Sequence, residues 1–346
     1  MTKSCAASIT YNFRNQTPLP KPLLWFINAF NLSKDSDGML KNERILITGG
    51  TGSLGYALAT LLCAENELVI YSRNEERQYL MGQDFKAHKA SMRYAIGDVR
   101  DVESLDYAMR GCSVVIHAAA MKDLIMCEDQ VTQSYLNNVI GTQNVLQVAR
   151  RSQSVKRLCA VSTDKAAAPT SVYGCTKYIM ERLATEAANH SDIVMSSVRF
   201  GNMINSRGSL ITVWRDNPPM DIKLTHPDIS RFFFTTEDGA RTVVECIEKA
   251  SNGEIYIRNM KAARIKDILT LITGRTEFDI MGLFPGEKVH EDLTSAQELA
   301  YCHVEGDYYV IRKTINPNPP AHLSSATAGR LTEEELKQMI GLAKCP

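Results

Sequence analysis

Arg44-Ile45-Leu46-Ile47-Thr48-Gly49-Gly50-Thr51-Gly52-Ser53-Leu54-Gly55 runs from a short apolar segment straight into glycines at 49, 52 and 55. The segment at 44–47 reads as a buried strand. Beyond the glycines, Leu54, Leu58, Leu61 and Leu62 recur on one face of a helix. Small residues between a strand and a helix let the backbone approach a pyrophosphate, which then faces the helix N-terminus. Thr48, Gly49, Gly52, Ser53, Leu54 and Gly55 are therefore the expected dinucleotide-binding residues. The plainer alternative is a tight βα turn without a ligand; the strand before and the helix after favour the cofactor.

Working outward, the same alternation repeats. Leu68 to Tyr71, Met92 to Ile96, Ser113 to His117, Arg157 to Ser162 and Ile193 to Val198 read as strands. Helical segments fall between them, at Val139 to Arg150 and Thr176 to Ala188 among others. The expected fold is α/β, a Rossmann-type doubly wound parallel sheet with a smaller C-terminal substrate-binding lobe. After Gly201 the alternation loosens. Thr236 reads as the N-cap of a helix to Ala250, Glu254 to Ile257 as a strand, and Thr332 with Glu335 as a capping box. Turns are expected at Asn217-Pro218-Pro219 and Pro285-Gly286. The expected organisation is an N-terminal extension over 1–42 and a dinucleotide-binding Rossmann domain over 43–200, with a late return at about 232–258. Residues 201–346 then form mainly the substrate lobe and a C-terminal segment.

Composition excludes several classes. In 346 residues, 39 Lys and Arg balance 39 Asp and Glu, so no general nucleic-acid or anionic-membrane surface is expected. Hydrophobic residues make up 44%, enough for a sizeable core at this length. The nine cysteines are scattered, without a C-x-x-C pair, and read as reduced thiols of a cytoplasmic protein. The longest apolar run, Leu23 to Leu32, is broken by Asn28 and Asn31, so no transmembrane segment is expected. The seven histidines are dispersed, and no metal site is expected. His117 ends a strand beside the glycine loop and reads as a packed histidine rather than a catalytic one.

The second strand ends in Tyr71-Ser72-Arg73-Asn74, where NAD-preferring folds usually carry an acidic residue. A hydroxyl and a guanidinium at Ser72 and Arg73 suit a 2′-phosphate and favour NADP over NAD. Asp98-Val99 is placed to cap the adenine side. Tyr173 and Lys177, four apart, share one helical face. A free tyrosine, with a pKa near ~10, is a poor base at neutral pH. A neighbouring cation stabilises the phenolate.

These residues together resemble the extended short-chain dehydrogenase/reductase family from about residue 43 onward. The resemblance implies Tyr173 as acid/base at a sugar hydroxyl and Lys177 as the holder of that tyrosine and of the nicotinamide ribose. It implies Thr163 as a hydrogen-bond partner of the substrate. A narrower resemblance rests on Ser162-Thr163-Asp164-Lys165-Ala166, His117-Ala118-Ala119-Ala120-Met121-Lys122, Arg199-Phe200-Gly201-Asn202, Ser206-Arg207-Gly208-Ser209 and Pro285-Gly286-Glu287-Lys288-Val289-His290-Glu291. These segments look like the UDP-N-acetylglucosamine 4,6-dehydratases that invert C5. That implies an NADP-dependent enzyme of surface-sugar biosynthesis. Tyr173 takes the O4 proton as C4 is oxidised, Lys165 removes the C5 proton, and Asp164 protonates the departing O6. It adds Ala118 and Ala119 to the cofactor set, and Lys122, Asn202, Arg207, Ser209, Arg231, Lys288 and Glu291 to a UDP-sugar set. A homo-oligomer such as a hexamer is also implied.

Dehydratases that retain C5 carry Asp-Glu where this chain has Asp164-Lys165, and 4-epimerases have neither pair. Those two activities, and an NADP-binding regulatory protein without turnover, are the alternatives. The chain departs from the resemblance at Phe284, where an arginine is usual, at Lys122-Asp123-Leu124-Ile125 in place of Lys-His-Val-Pro, and at His226 within Thr225-His226-Pro227.

Overall fold

The computed structural model describes residues 40–206, 209–218 and 221–342, all within one unit spanning Asp37–Pro346. The expected extension up to residue 39, its apolar run and Arg207 lie outside the described residues. The chain order begins β1 Arg44–Thr48, α1 Ser53–Leu62, β2 Glu67–Ser72, α2 Glu75–Asp84, β3 Met92–Ile96, α3 Val102–Met109 and β4 Val114–His117. It continues with α4 Leu124–Asp129, α5 Val131–Tyr135, α6 Gly141–Arg151, β5 Arg157–Val161, α7 Val172–Asn189, β6 Val194–Arg199, β7 Asn202–Met203 and α8 Leu210–Asp216. It ends with β8 Ser230–Phe234, α9 Thr236–Lys249, β9 Ile255–Arg258, β10 Ala262–Arg264, α10 Ile265–Thr273, β11 Cys302–Glu305, β12 Tyr308–Ile311 and α11 Glu333–Ile340.

Nine strands form one sheet in the order β11-β12-β9-β6-β5-β4-β1-β2-β3. From β3 to β9 every pairing is parallel. The order reverses between β1 and β4, and open α/β sheets bind ligands at the carboxyl ends of strands beside such a switch. Ile45, Leu46 and Ile47 are fully buried, as a strand covered on both faces requires. One face packs on α3, α6 and α7 through Leu105, Val145, Leu146, Met180 and Ala184. On β8, β10, α10 and α11, a separate cluster of Ile204, Phe233, Ala263, Ile268, Leu336 and Ile340 forms the core of a smaller lobe. That lobe holds a second sheet, ordered β10-β8-β7.

Two local expectations are corrected. α7 begins at Val172, not Thr176, because the Ser171 hydroxyl accepts the Gly174 N–H and caps it there. The N-cap of α9 is Thr235, not Thr236, because only Thr235 lies three residues before Asp238, with which it forms a capping box. The sheet also gains an antiparallel hairpin, β11–β12, added beyond β9.

Arg199, at the end of β6, is fully buried. Its guanidinium donates to Glu181 of α7 at 2.6 and 2.8 Å and to Glu298 at 2.7 and 2.8 Å. Burial alone would push the Glu298 carboxyl up; the Arg199 guanidinium outweighs it and holds that carboxyl below the ordinary range. Replacing Arg199 with methionine leaves Glu181 buried without its counter-charge. The expected cost is about 3 kcal/mol, read as a lower urea midpoint with an unchanged m-value. An unchanged midpoint would show that the triad contributes no net stability.

Candidate active site

The glycine loop comes from β1 and α1. Gly49 has φ +68°, and a Cβ there would lie 2.8 Å from the Ala119 backbone, so the loop passes directly against the end of β4. Gly52, the N-cap of α1, offers no side-chain cap, and the first turn has no acidic residue. No side chain of α1 therefore offsets the positive end of its dipole, which suits an anion. Thr48 does not reach the cavity wall. It is fully buried, and its hydroxyl meets His117 Nδ1 at 2.8 Å and the Ala119 N–H at 3.3 Å. His117 also meets Thr142 Oγ1 at 2.9 Å, and burial pushes its pKa down to about 3. It is a packed, neutral histidine, as its sequence context suggested.

A cavity of about 980 Å³ runs from this loop along the carboxyl ends of the strands into the smaller lobe. Ser72, Arg73, Asp98, Val99, Ala118 and Ala119 line the end nearest the glycine loop together with Gly49, Gly52, Ser53, Leu54 and Gly55. Arg73 lies 3.8 Å from Asp98, which is also paired with Arg100 at 2.6 Å. The Ser72 hydroxyl accepts from Gln78 Nε2 at 3.0 Å.

The centre of the cavity is built where β5 ends. Beyond Val161 the chain stays beside the β6 strand and its extension, with Ser162 N bonding Val198 O and Asp164 N bonding Phe200 O, both at 2.7 Å. It then makes a short 3-10 turn, Asp164–Ala166. α7 packs onto this turn so closely that a Cβ on Gly174 would sit 2.4 Å from Lys165 O. That contact explains the glycine directly after Tyr173. It also sets Tyr173 beside Thr163 and Lys165, all three lining the cavity. The Glu128 carboxylate, also on the cavity wall, accepts the Val172 N–H at 2.7 Å and anchors the start of α7.

Lys165 Nζ donates to Asp164 Oδ1 at 3.0 Å and stands 3.5 Å from Glu291 Oε1. Asp164 is fully buried and does not line the cavity, so it reaches the site only through Lys165, which corrects the expectation of direct contact with O6; its Oδ1 also accepts from Thr163 Oγ1 at 2.9 Å, while its Oδ2 has no hydrogen-bond partner. Burial alone would depress the Lys165 pKa, but the Asp164 and Glu291 carboxylates overcome it and hold the ammonium above the ordinary lysine range. Burial pushes the Tyr173 phenol up to about 12, opposed first by the Lys165 charge and then by a Thr163 hydrogen bond. Lys177 was expected to supply that charge. Instead its Nζ donates to Val161 O at 2.6 Å, and burial lowers its pKa to about 8. The cation acting on Tyr173 is Lys165.

The expected sugar-binding residues divide. Lys122, Asn202, Ser209 and Arg231 line the cavity. Lys122 stands accessible at the mouth, yet the surrounding protein desolvates its ammonium and lowers its pKa. Lys288 and Glu291 lie behind the wall: Lys288 donates to Ala167 O at 3.1 Å, and Glu291 is 2% exposed. Their charges are directed at protein groups, which corrects the expectation of direct substrate contact. The sequence reading missed Asn137, Trp214 and Lys223, which also line the cavity. Asn137 sits in a π-helical turn, Leu136–Ile140, joining α5 to α6, and such turns recur at functional sites. Neither a motif nor a hydrophobic period marks it.

The model of the family described as "Polysaccharide biosynthesis protein" matches residues 45–313. The UDP-N-acetylglucosamine 4,6-dehydratase (inverting) of Campylobacter jejuni subsp. jejuni serotype O:2 is 35% identical over 286 residues, covering 80% of this chain and 85% of that protein. The UDP-glucose 4-epimerase of Rickettsia rickettsii is 32% identical over 288 residues, covering 79% and 84%. Among solved structures, Pen from Bacillus thuringiensis superposes with a TM-score of 0.82 at 30% identity, over 89% of this chain and 100% of that one.

Proposed function

The chain belongs to the polysaccharide biosynthesis family of extended short-chain dehydrogenase/reductases, and from that membership we propose that it dehydrates UDP-N-acetylglucosamine. The product is UDP-2-acetamido-2,6-dideoxy-beta-L-arabino-hex-4-ulose. The observation that carries this reading is the Asp164–Lys165 pair, bonded at 3.0 Å, with Lys165 on the cavity wall beside Tyr173. A 4-epimerase needs neither an acid for a leaving hydroxyl nor a base at C5, although relatives of that name are nearly as similar.

The uncapped first turn of α1, the glycines against β4 and the volume beside them fit a nicotinamide dinucleotide. Gly49, Gly52, Ser53, Leu54, Gly55, Asp98, Val99, Ala118, Ala119, Tyr173 and Lys177 would hold it, with Ser72 and Arg73 at a 2′-phosphate. When bound, this cofactor supplies reversible oxidation at C4 and reduction at C6.

The chain's own residues move the protons. Tyr173, beside Thr163, accepts the O4 proton as the phenolate, its own proton having left to solvent through the cavity. The ketone at C4 then acidifies C5–H. At rest the pair is Asp164 carboxylate and Lys165 ammonium. Moving one proton along their hydrogen bond gives the neutral amine and the carboxylic acid that elimination needs. Lys165 Nζ takes the C5 proton, the C5–H electron pair becomes the C5=C6 bond, and the C6–O6 bond breaks. Asp164, buried behind the wall, supplies the acid proton to O6 through Lys165 Nζ, and O6 leaves as water. The pair ends as carboxylate and ammonium again, and a solvent-derived proton returns to C5 once C6 is reduced.

Incubation with UDP-N-acetylglucosamine followed by mass spectrometry tests the reading: loss of one water is expected, and a product of unchanged mass would point to epimerisation. NADP preference has its own test. Arg73→Asp should move the NADP-to-NAD affinity ratio about 10–100-fold toward NAD, by removing one charge-assisted contact and adding repulsion. Equal affinities in the unmutated protein would sink it.

Two coarser features complete the proposal. Ile125, Met126, Val131, Tyr135, Tyr178 and Ile179 are exposed on α4, α5 and α7, and a second copy of the chain would cover them; sedimentation as a monomer would remove this homo-oligomer. No helix among the described residues is long and apolar enough to cross a membrane. The seven described cysteines are free thiols, and we place the enzyme in the cytoplasm, which cell fractionation would check.

A further inference from the structure

Lys165 is faced by more charge than a single catalytic pair needs. Asp164 approaches from its own turn, Tyr173 from α7, Arg231 from β8 and Glu291 from the segment after Pro285. Glu291 is buried and absent from the cavity wall, so it has no route to substrate. Its backbone N–H is held by Ser325 Oγ at 2.9 Å. Its carboxylate reaches Lys165 at 3.5 Å, Lys288 at 3.6 Å and Arg231 at 3.9 Å, while Arg231 is also paired with Glu287 at 3.2 Å. Two cations thus flank Glu291 on the protein side, and the third group it meets is the amine at the wall.

We propose that Glu291 is the positioning residue of Lys165: a second, buried counter-charge that fixes Nζ at the cavity wall and keeps it an ammonium between turnovers. This deepens the dehydratase reading and rests on it for the role of Lys165 in the reaction. The consequence concerns proton count. The Asp164–Lys165 pair works only while it holds one transferable proton. Losing that proton to solvent leaves no acid for O6. Glu291 extends the range of pH over which the proton is kept, because a negative charge close to an amine favours its protonated form. Lys288 and Arg231 limit that effect and hold the carboxylate in place.

The test uses the full-length holoenzyme and two variants. Glu291→Gln keeps the shape and removes the charge; Glu291→Asp keeps the charge. Competitive labelling with acetic anhydride, read at Lys165 by mass spectrometry, measures how much amine is neutral. In Glu291→Gln, Lys165 should label about tenfold faster at a given pH, and the alkaline limb of kcat should fall about one pH unit lower. KM for the sugar nucleotide should change little, and Glu291→Asp should bring both readouts back toward the unmutated protein. A Glu291→Gln variant that retains cofactor but shows unchanged labelling and an unmoved limb would overturn the inference, even if kcat fell. If the unmutated protein releases no water from UDP-N-acetylglucosamine while the labelling still rises tenfold, the dehydratase reading fails and the Glu291–Lys165 coupling stands.

Discussion

Tyr173→Phe should lower the rate of C4 oxidation by about 10³–10⁴-fold, which is about 4–5.5 kcal/mol of transition-state stabilisation. The phenol is the group that α7 places on the cavity wall beside Thr163. Burial pushes its pKa up to about 12, so positive charge, from Lys165 and from the proposed nicotinamide, has to bring out the phenolate before it can accept the O4 proton. The variant keeps the ring that packs in the wall, so substrate affinity should be nearly intact. Single-turnover mixing reads the loss directly, as absence of reduced nicotinamide absorbance with substrate bound. Normal formation of that absorbance would remove Tyr173 from the O4 step.

Lys165→Met should separate the two halves of the reaction. C4 oxidation should persist, slowed about tenfold because Tyr173 loses the cation that opposes its raised pKa. C5 proton removal should fall by about 10³-fold or more, since no other amine is bonded to Asp164 among the described residues. The expected signature is a reduced cofactor that accumulates without dehydrated product, with the C5 hydrogen retained in deuterated water. The variant also leaves Asp164 and Glu291 without their shared cation, so a lower thermal midpoint should accompany it. C5 exchange at the unmutated rate would make another group the base and leave Lys165 a structural cation.

Much of this was legible in the sequence because it is local. The glycine loop, the buried β1 and the alternation through β6 announce themselves within a dozen residues each. Thr163, Asp164 and Lys165 are contiguous, and Tyr173 follows within one turn of α7. What the sequence hid is long-range. Glu291 is far along the chain from Lys165, and no period or motif says that it faces an amine rather than a sugar. The Arg199 triad joins Glu181 and Glu298 across the fold, and neither carboxylate carries a local sign of burial. Lys177 keeps the expected spacing from Tyr173, yet a backbone carbonyl, that of Val161, takes its ammonium. The β11–β12 hairpin lies in a stretch where alternation had already loosened. Of two adjacent threonines, Thr235 rather than the expected Thr236 caps α9, because its side chain meets Asp238 three residues on.

The central claim is dehydration with inversion at C5, and one measurement reaches it most directly: NMR of the first product formed from UDP-N-acetylglucosamine in deuterated water. The account predicts a 4-keto-6-deoxy sugar of L-arabino configuration, with one solvent deuteron at C5 and the C6 hydrogen carried over from substrate C4. A D-xylo sugar as the first species would contradict inversion, and a sugar that keeps its 6-hydroxyl would contradict dehydration itself.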